Sequence, residues 1–249
     1  MKVVELRGKK PEKHERNFMK KSNKSCNLES CFMCRLALKE WKQTIDCHRK
    51  NFLVKKGETL IKEGDPAEGV YFVYSGKIKV HKTWGDRELI LRFASDGAIL
   101  GHRGINSKNN IYPVSATAIE PTMVCFIDME FFMATLRVNH DFTFRLMMFY
   151  ADELRESERR MRNLALMPVK GRLARALLQL QEQFGVTENG SINIELSRQD
   201  LAAFAGATYE TVFRTMNELI QDKLISVTGK QIYILEPEKL LSYTQNSDV

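Results

Sequence analysis

Five cysteines are the first residues in this 249-residue chain that could do chemistry. Cys26, Cys31 and Cys34 are separated by four and then by two residues. Thiolates at such short spacings can ligate an iron–sulfur cluster. Cys125 instead lies in the apolar run Met123–Ile127, where a buried structural cysteine is common. Three interpretations are open: a cluster, another thiol-based response, or cysteines with structural roles only.

Residue types typical of catalysis are scattered. The five histidines stand at positions 14, 48, 81, 102 and 140, and no two of them are at helical spacing. The chain contains no P-loop, no GxSxG and no HExxH sequence, which are motifs that position phosphate-binding, nucleophilic or zinc-binding groups. We therefore expect a protein that is not an enzyme.

A second group of residues could hydrogen bond to DNA bases. Glu210 and Arg214 are four residues apart, so they share one face of a helix. Arginine can donate two hydrogen bonds to guanine, and glutamate can accept one from cytosine. Tyr209 and Phe213 are predicted to point outward beside them. An ordinary surface ion pair would show the same spacing, so the surrounding elements must decide.

Those elements have the pattern of two short helices joined by a tight turn. Ser197, with Asp200 three residues later, is an N-terminal capping pattern. Gly206 can take the left-handed conformation that ends the first helix, and Thr208 can cap the second. The predicted buried face of the second helix consists of Val212, Met216, Leu219 and Ile220. In a helix-turn-helix, the outward N-terminal end of the second helix enters the major groove.

Two short strands follow, around a turn at Thr228-Gly229-Lys230. Strands directly after a helix-turn-helix predict a winged helix, with Lys230 at the wing tip, where a phosphate contact is expected. This combination favours DNA binding. The alternative from another class is a ligand-binding or protein-interaction module that never contacts DNA.

The region before these helices has two other patterns. Residues 50–130 read as many short strands separated by turn signals, which predicts a sandwich, barrel or jelly roll. From Asp141 the apolar period changes to that of a helix. The predicted apolar seam of this helix consists of Phe142, Leu146, Phe149, Tyr150, Leu154, Met161 and Leu164. Such a seam, with charges around it, indicates packing on a partner helix, although a helix that lies on its own domain would look similar.

The net charge of +7 is not itself evidence for DNA binding. Residues 1–56 hold 16 Lys and Arg against 6 Asp and Glu, whereas residues 164–249 hold 8 against 10. The excess therefore belongs to an N-terminal segment, of which residues 1–25 are expected to be a flexible basic tail. We see no secretory signal and no membrane-spanning run, so we expect a cytoplasmic protein without a membrane partner.

Taken together, these motifs resemble the CRP/FNR family of transcription regulators from about Val54 to Leu240. The matching segments are Lys55–Asp65, Tyr71–Val80, Val169–Leu180 and Ser197–Arg214. The resemblance implies an α+β fold of two domains, with a cyclic-nucleotide-binding-like β jelly roll at residues 26–140 as the sensor. A dimerisation helix and hinge at 141–166 and a winged-helix DNA-binding domain at 167–249 would follow. It further implies a homodimer on a palindromic double-stranded operator, contact with RNA polymerase, and control by an unidentified effector.

The resemblance also assigns roles to single residues. It implies base reading by Tyr209, Glu210 and Arg214. Phe213 stands where relatives carry a small residue, and contact with a thymine methyl group is one role for its ring. The implied DNA-backbone contacts are Ser197, Arg198, Gln199, Thr208, Thr211 and Lys230.

Binding of cAMP is not expected, because the family's two polar anchors are missing. Ala98 stands in the place of the ribose-binding glutamate, and the segment 110–114 supplies no Arg-Ser-Ala sequence. The candidate effector pocket consists of Ile99, Leu100, Gly101, His102, Arg103 and Tyr112. His102 and Arg103 could bind an anion, but we expect them to be exposed turn residues.

The resemblance also implies a role for the cysteines. Cys125 stands where the oxygen-sensing FNR branch carries its distal cluster ligand. The candidate iron–sulfur ligands are therefore Cys26, Cys31, Cys34 and Cys125. The N-terminal spacing departs from that of the FNR branch, whose closely spaced pair comes first, and Cys47 is additional. A redox- or oxygen-sensing version of the same regulator is thus the alternative to one without a cofactor.

Overall fold

The computed structural model of the chain describes residues 20–21, 31–106 and 110–245. Its strands are β1 (Lys20–Lys21), β2 (Lys50–Val54), β3 (Thr59–Ile61), β4 (Gly69–Ser75), β5 (Ile78–Trp84), β6 (Arg87–Ala94), β7 (Ile99–Leu100), β8 (Ser115–Ala118), β9 (Thr122–Asp128), β10 (Ile225–Thr228) and β11 (Gln231–Ile234). Its α-helices are α1 (Phe32–Leu36), α2 (Lys42–His48), α3 (Met129–Val138), α4 (His140–Leu166), α5 (Val169–Phe184), α6 (Arg198–Ala205), α7 (Tyr209–Gln221) and α8 (Pro237–Ser242). Single 3₁₀ turns occur at Lys39–Trp41 and His102–Gly104.

The predicted jelly roll is confirmed as two antiparallel sheets that face each other. One has the strand order β1-β2-β9-β4-β7, and the other has the order β3-β8-β5-β6. Apolar side chains from both sheets, including Tyr71 and Val124 of the first and Val80 of the second, form the core between them. The turn glycines are required by the backbone: Gly76 has a φ of 104°, and a Cβ there would lie 2.5 Å from Thr122 Oγ1.

A helical layer that the sequence does not predict covers the outer face of the five-stranded sheet. Met33 of α1 and Ile45 of α2 are buried there, beside Phe72, Cys125 and Phe142. The first two helices have five and seven residues. Helices this short complete at most two turns, so their apolar period is too brief to distinguish them from a loop.

The long helix α4 has two apolar faces, and the predicted seam mixes them. Phe142 and Leu146 are buried against the helix's own domain. Leu154 and Met161 point away from it and are 63% and 65% exposed. The exposed face continues at alternating spacings of three and four residues through Phe144, Met147, Ala151, Leu154, Glu158 and Met161. We call this set the outer seam.

Helices α5 to α8 and the hairpin β10–β11 form the C-terminal unit. The hairpin pairs Ile225 with Ile234 and turns at Gly229 and Lys230, which confirms the predicted wing. Leu173, Leu201, Val212, Met216 and Leu219 are buried in the core of this unit. The prediction that Ile220 belongs to the buried face is wrong, because its side chain is 37% exposed.

The C-terminal unit packs directly on strand β6 of the jelly roll. The Phe93 and Phe204 rings meet edge to face, with centroids 5.0 Å apart. Arg160 of α4 lies at the same junction, where it donates hydrogen bonds to the backbone carbonyls of Ile90, Leu91 and Phe204. No helix in the described part of the chain has the length and apolar character needed to cross a membrane.

Candidate nucleic-acid interface

The turn between α6 and α7 is built as the sequence predicts. Ser197 Oγ accepts a hydrogen bond from the backbone N–H of Asp200 at 2.9 Å, and it donates to the Asp200 carboxylate at 2.6 Å. Gly206 ends α6 in the left-handed conformation, with φ 66° and ψ 42°. Thr208 caps α7 by accepting from the N–H of Thr211 at 3.3 Å. These local bonds fix the angle at which α7 leaves α6.

The N-terminal end of α7 presents the four candidate base-reading residues to solvent. Tyr209 and Phe213 are exposed, and their rings stack with centroids 6.2 Å apart and an interplanar angle of 11°. Glu210 and Arg214 are exposed beside them. Although the spacing allows an ion pair, the ion pairs found within the described residues do not include these two. Both polar heads can therefore bind other groups.

The candidate backbone contacts lie at the start of α6, at the start of α7 and in the wing, and their side chains differ in exposure. Gln199 and Lys230 are exposed. The hydroxyls of Ser197 and Thr208 act as helix caps, and the Thr208 and Thr211 hydroxyls lie 3.0 Å apart. The exception is Arg198, which is half-buried and whose Nη1 lies 2.9 Å from the sulfur of Met216.

The carboxylate of Asp200 ties this surface to the jelly roll. Lys79 Nζ lies 2.7 Å from both Asp200 Oδ1 and Glu88 Oε1. Burial alone would raise the pKa of Asp200, but the hydrogen bonds from Lys79 and Ser197 outweigh burial and lower that pKa. The ion pair therefore connects strand β5 to the first turn of α6.

The candidate effector pocket is a cavity of about 10 Å³ inside the jelly roll, which is about the space that one water molecule needs. Five of the six predicted residues line it: Leu100, Gly101, His102, Arg103 and Tyr112. The sixth, Ile99, belongs to the cluster on the outer face of the sheet. Successive residues of a strand point to opposite faces, so Ile99 and Leu100 cannot both face the cavity.

One expectation about this pocket needs correction. His102 and Arg103 both line the cavity. The expectation that His102 is an exposed turn residue is wrong, because its side chain is 2% exposed.

His102 and Arg103 belong to a charge network centred on Glu153 of α4. The Glu153 carboxylate lies 3.0 Å from Arg92 Nε, 2.9 Å from His102 Nε2 and 3.1 Å from Arg103 Nε. Tyr150, one helical turn earlier, donates its hydroxyl to the carbonyl of His102 at 2.6 Å. The network therefore connects the middle of α4 to the 3₁₀ turn His102–Gly104, which lines the pocket.

Burial and charge act against each other on Glu153. Burial alone would raise the pKa of Glu153, but the hydrogen bond from His102 and the charges of Arg92 and Arg103 lower it to about 2. Burial lowers the pKa of His102 despite the adjacent carboxylate. Both directions fit a neutral imidazole that donates from Nε2 to an ionised Glu153. The Nδ1 atom of His102 is then a buried acceptor without a partner in the described residues.

Arg92 and Glu153 are not predicted from the sequence, and Tyr150 is predicted only as part of the apolar seam. Their partners are distant in the chain, so no local motif contains them. One signal was available: Leu146, Tyr150 and Glu153 follow at spacings of four and three residues. A carboxylate in register with an apolar helical face indicates a buried partner of opposite charge.

Three candidate metal-ligating cysteines are brought into one apolar cluster. Cys31 and Cys34, at the N-cap and within α1, are buried in the same cluster as Cys125 of β9, while Cys47 is exposed. Cys26 lies outside the described residues. Within the described ranges, no group of three or more His, Cys, Asp or Glu side chains is arranged to hold a metal ion.

Comparison with protein-family models gives two matches that cover most of the chain. Residues 52–139 match the cyclic nucleotide-binding domain, and residues 171–243 match the Crp-like helix-turn-helix domain. The cAMP-activated global transcriptional regulator CRP of Pasteurella multocida is 30% identical over 190 residues, which are 76% of this chain and 90% of that protein.

Two further relatives extend the comparison. The transcriptional activator protein Anr of Pseudomonas protegens is 28% identical over 229 residues, which are 90% of this chain and 93% of Anr. The structure of FixK2 from Bradyrhizobium japonicum superposes with a TM-score of 0.70 at 26% identity, covering 79% of this chain and 98% of FixK2. Sequence and fold thus point to the same group of proteins.

Proposed function

The chain belongs to the CRP/FNR family and is a DNA-binding transcription regulator, and from this premise we propose that it binds a palindromic operator as a homodimer. The observation that carries the proposal is the exposed N-terminal end of α7, where Tyr209, Glu210, Phe213 and Arg214 stand together without polar partners among the described residues. Glu210 and Arg214 would read cytosine and guanine, and Phe213 would contact a thymine methyl group.

The outer seam of α4 supports the homodimer. Leu154 and Met161 are exposed apolar residues one heptad apart on a helix whose opposite face is already buried. Apolar residues at alternating spacings of three and four are the pattern by which two helices pack along their length. A second copy of α4 would cover this seam and relate the two α7 helices by a two-fold axis.

The backbone contacts would orient each α7 helix on the DNA. Ser197, Gln199, Thr208, Thr211 and Lys230 surround the base-reading end and can donate to phosphate oxygens. Arg198 belongs to the same set but would first have to leave Met216. With two-fold symmetry, the half-sites would lie about 34–36 Å apart, one turn of DNA.

Selection of binding sites from random double-stranded DNA tests this proposal. We expect enrichment of a palindrome whose half-sites are about one helical turn apart. Binding should also weaken steeply with salt, because phosphate contacts release counterions. Enrichment of a single half-site would contradict the dimer. The absence of salt-dependent binding to any fragment would favour the module that does not contact DNA.

We also propose that the sensor responds to an effector other than cAMP. Leu100, Gly101, His102, Arg103 and Tyr112 line a cavity of about 10 Å³, which is far below the size of a nucleotide pocket. Its polar groups are already engaged, His102 and Arg103 by Glu153 and the Tyr112 hydroxyl by the backbone carbonyl of Gly69. Calorimetric titration with cAMP should therefore show no saturable binding, and saturation at one site per chain would contradict this part.

An iron–sulfur or thiol-based sensor is the second candidate, favoured by the burial of Cys31, Cys34 and Cys125 in one cluster. With Cys26, these residues could supply four thiolates to a cluster. Purification without oxygen tests this version, which predicts a brown protein containing iron and sulfide. A colourless preparation without either would eliminate the cluster, and an unchanged DNA affinity after thiol oxidation would eliminate the thiol-based response.

As a transcription regulator, the protein would act in the cytoplasm and contact RNA polymerase. Contact with RNA polymerase is supported by similarity to transcriptional activators such as Anr. Transcription in vitro from a promoter that carries the selected operator tests for this contact. We expect the protein to recruit RNA polymerase to that promoter. Occupied DNA without any change in transcript level would contradict it.

A further inference from the structure

A cavity of about 40 Å³ lies where helices α4, α5 and α6 meet. One water molecule needs about 10–15 Å³, so this space is large enough for a compact polyatomic ion. It is separate from the jelly-roll cavity and from the exposed end of α7. Its walls come from the long helix, from the helix after it, and from the first helix of the helix-turn-helix.

The wall of this cavity carries an excess of positive charge. Arg160, Arg172 and Arg175 line it together with a single carboxylate, that of Glu156. Glu156 is already paired with Arg159 on the adjacent helical turn. The three arginines therefore share no uncommitted anion within the described residues.

Two of these arginines have structural roles that use most of their hydrogen bonds. Arg172 donates to the backbone carbonyls of Leu164, Met167, Ala205 and Gly206. Arg160 donates to the carbonyls at the junction with β6, but its Nε is buried and has no partner in the described residues. Carbonyl groups satisfy hydrogen bonds without neutralising the charge, so an anion is still favoured beside them.

Arg175 differs from both. It is half-buried at the wall of the cavity, and its guanidinium forms no hydrogen bond or ion pair with the described residues. Burial lowers the pKa of Arg175 most, and the positive charges of Arg159 and Arg162 lower it further, while the carboxylates of Glu156 and Glu182 offset part of this shift. A half-buried guanidinium among like charges is a group that an oxyanion would stabilise.

We propose that this cavity is a binding site for a compact oxyanion, phosphate or a phosphate monoester, held by Arg175 and by the free Nε–H of Arg160. Guanidinium groups bind phosphate in a bidentate manner. A bound oxyanion would offset the repulsion among the arginines. It would also join α4 to α5 and α6, the three elements that connect the sensor to the DNA-reading surface.

The test is calorimetric titration of the full-length protein with inorganic phosphate, in chloride buffer at fixed ionic strength. We expect saturable binding at one site per chain, and Arg175→Gln should weaken it by about tenfold or more because one charge-assisted contact is lost. Arg155→Gln is the matched control, since the Arg155 side chain lies on α4 and is 81% exposed. This control should bind phosphate as the wild type does.

A second measurement separates binding from folding. Phosphate should raise the Tm of the wild type by mass action but not that of Arg175→Gln, while the two proteins melt alike in chloride. The same titration with adenosine monophosphate distinguishes a phosphate monoester from free phosphate as the ligand. Equal or tighter binding of the nucleotide assigns a phosphate monoester, and binding of phosphate alone assigns the free ion.

Three outcomes would overturn the proposal. In the first, neither phosphate nor adenosine monophosphate saturates the protein. In the second, Arg175→Gln binds phosphate as tightly as the wild type. In the third outcome, phosphate does not bind and Arg175→Gln lowers both the DNA affinity and its salt slope. The arginines would then contact the DNA backbone rather than a small oxyanion.

Discussion

At the scale of single residues, Arg214 and Lys230 differ in what they can add to DNA binding. Arg214 is exposed at the base-reading end of α7, where a bidentate contact to guanine would discriminate among bases. We expect Arg214→Ala to cost about 1–3 kcal/mol on the selected operator and to relax specificity at one position of each half-site. Fluorescence anisotropy on operators with single base changes measures both effects.

Lys230→Ala is the control for that measurement. Lys230 stands at the turn of the wing, where a phosphate contact carries no sequence information. Its loss should weaken all sites alike and lower the salt slope by about one. If Arg214→Ala bound the operator and a scrambled site as the wild type does, the assignment of Arg214 would be wrong.

Glu153 makes the stability of the fold depend on pH in the acidic range. Its pKa is lowered from 4.5 to about 2 in the folded chain, so the unfolded chain binds the proton first as the pH falls. The stabilisation is complete above about pH 5 and is lost as the pH falls toward 2. It amounts to about 3 kcal/mol of unfolding free energy, and Glu153→Gln should remove this part of the pH dependence.

Urea unfolding at several pH values from 7 to about 3 measures the effect. Asp152→Asn is the control, because the Asp152 side chain is exposed on the same helix and lies outside the outer seam. This control should keep the wild-type pH dependence. An equal acid dependence in Glu153→Gln and the wild type would show that the ion pairs with Arg92 and Arg103 do not stabilise the fold.

At the scale of elements, the turn after α6 is where the helix-turn-helix touches the long helix. A Cβ at Gly206 would lie 2.2 Å from Leu164 Cδ2, and the residue has a φ of 66°. Gly206→Ala therefore adds a steric clash to a left-handed backbone, which alone costs an alanine about 1–2 kcal/mol. We expect a loss of unfolding free energy that exceeds this amount by the cost of moving the Leu164 side chain.

Gly229→Ala separates the two causes. Gly229 also has a positive φ, of 62°, but no atom lies within 4 Å of its added Cβ. It should therefore show the backbone cost alone in the same urea titration. If the two variants lose the same unfolding free energy, the Leu164 side chain moves aside for the added Cβ at no energetic cost.

The outer seam leads to a prediction about assembly. Leu154→Glu places a charge at the centre of an exposed apolar stripe that a second copy would bury, and a buried unpaired charge is strongly destabilising. We expect the variant to be a monomer at concentrations where the wild type is a dimer, as measured by sedimentation. Ser157→Glu, exposed on the same helix but outside the seam, should remain a dimer, and a dimeric Leu154→Glu would contradict the seam.

What the sequence could predict follows the range of the interactions. Ser197, Gly206 and Thr208 act on residues within three positions of themselves, so the turn could be predicted. The helical period of α4 could be predicted as well. Which of its faces meets the jelly roll could not, because that depends on contacts with strands far away in the chain. The predicted seam therefore contains both Leu154 and Phe142, although the two lie on different faces of the helix.

The same reason explains the pocket. Arg92 and Glu153 are brought together only when β6 and α4 pack on each other. A sequence motif records the pocket residues that lie in one turn, such as His102 and Arg103. The same motif gives no information about the Glu153 carboxylate, which pairs with both residues from helix α4.

At the scale of the whole molecule, the junction between β6 and α6 determines whether the two domains behave as one body. Phe93 is buried against Phe204 and Phe184, and Gln183 of α5 donates to the Phe93 carbonyl at 3.0 Å. The ion pair between Lys79 and Asp200 lies at the edge of the same contact. A change of position at β6 would therefore be transmitted to the helix that orients α7.

Phe93→Ala should uncouple the domains, because it removes the largest jelly-roll side chain from the shared core. Truncation of a buried Phe costs about 3–5 kcal/mol, and we expect that loss to appear as local opening at the junction. Amide hydrogen exchange would then accelerate in α6 while strands β4 and β9 keep their protection. Val73→Ala is the control, because Val73 is buried in the jelly-roll core away from α6. Val73→Ala should accelerate exchange in the jelly roll and leave exchange in α6 unchanged. If exchange in α6 is also unchanged in Phe93→Ala, the domains are held together by other contacts.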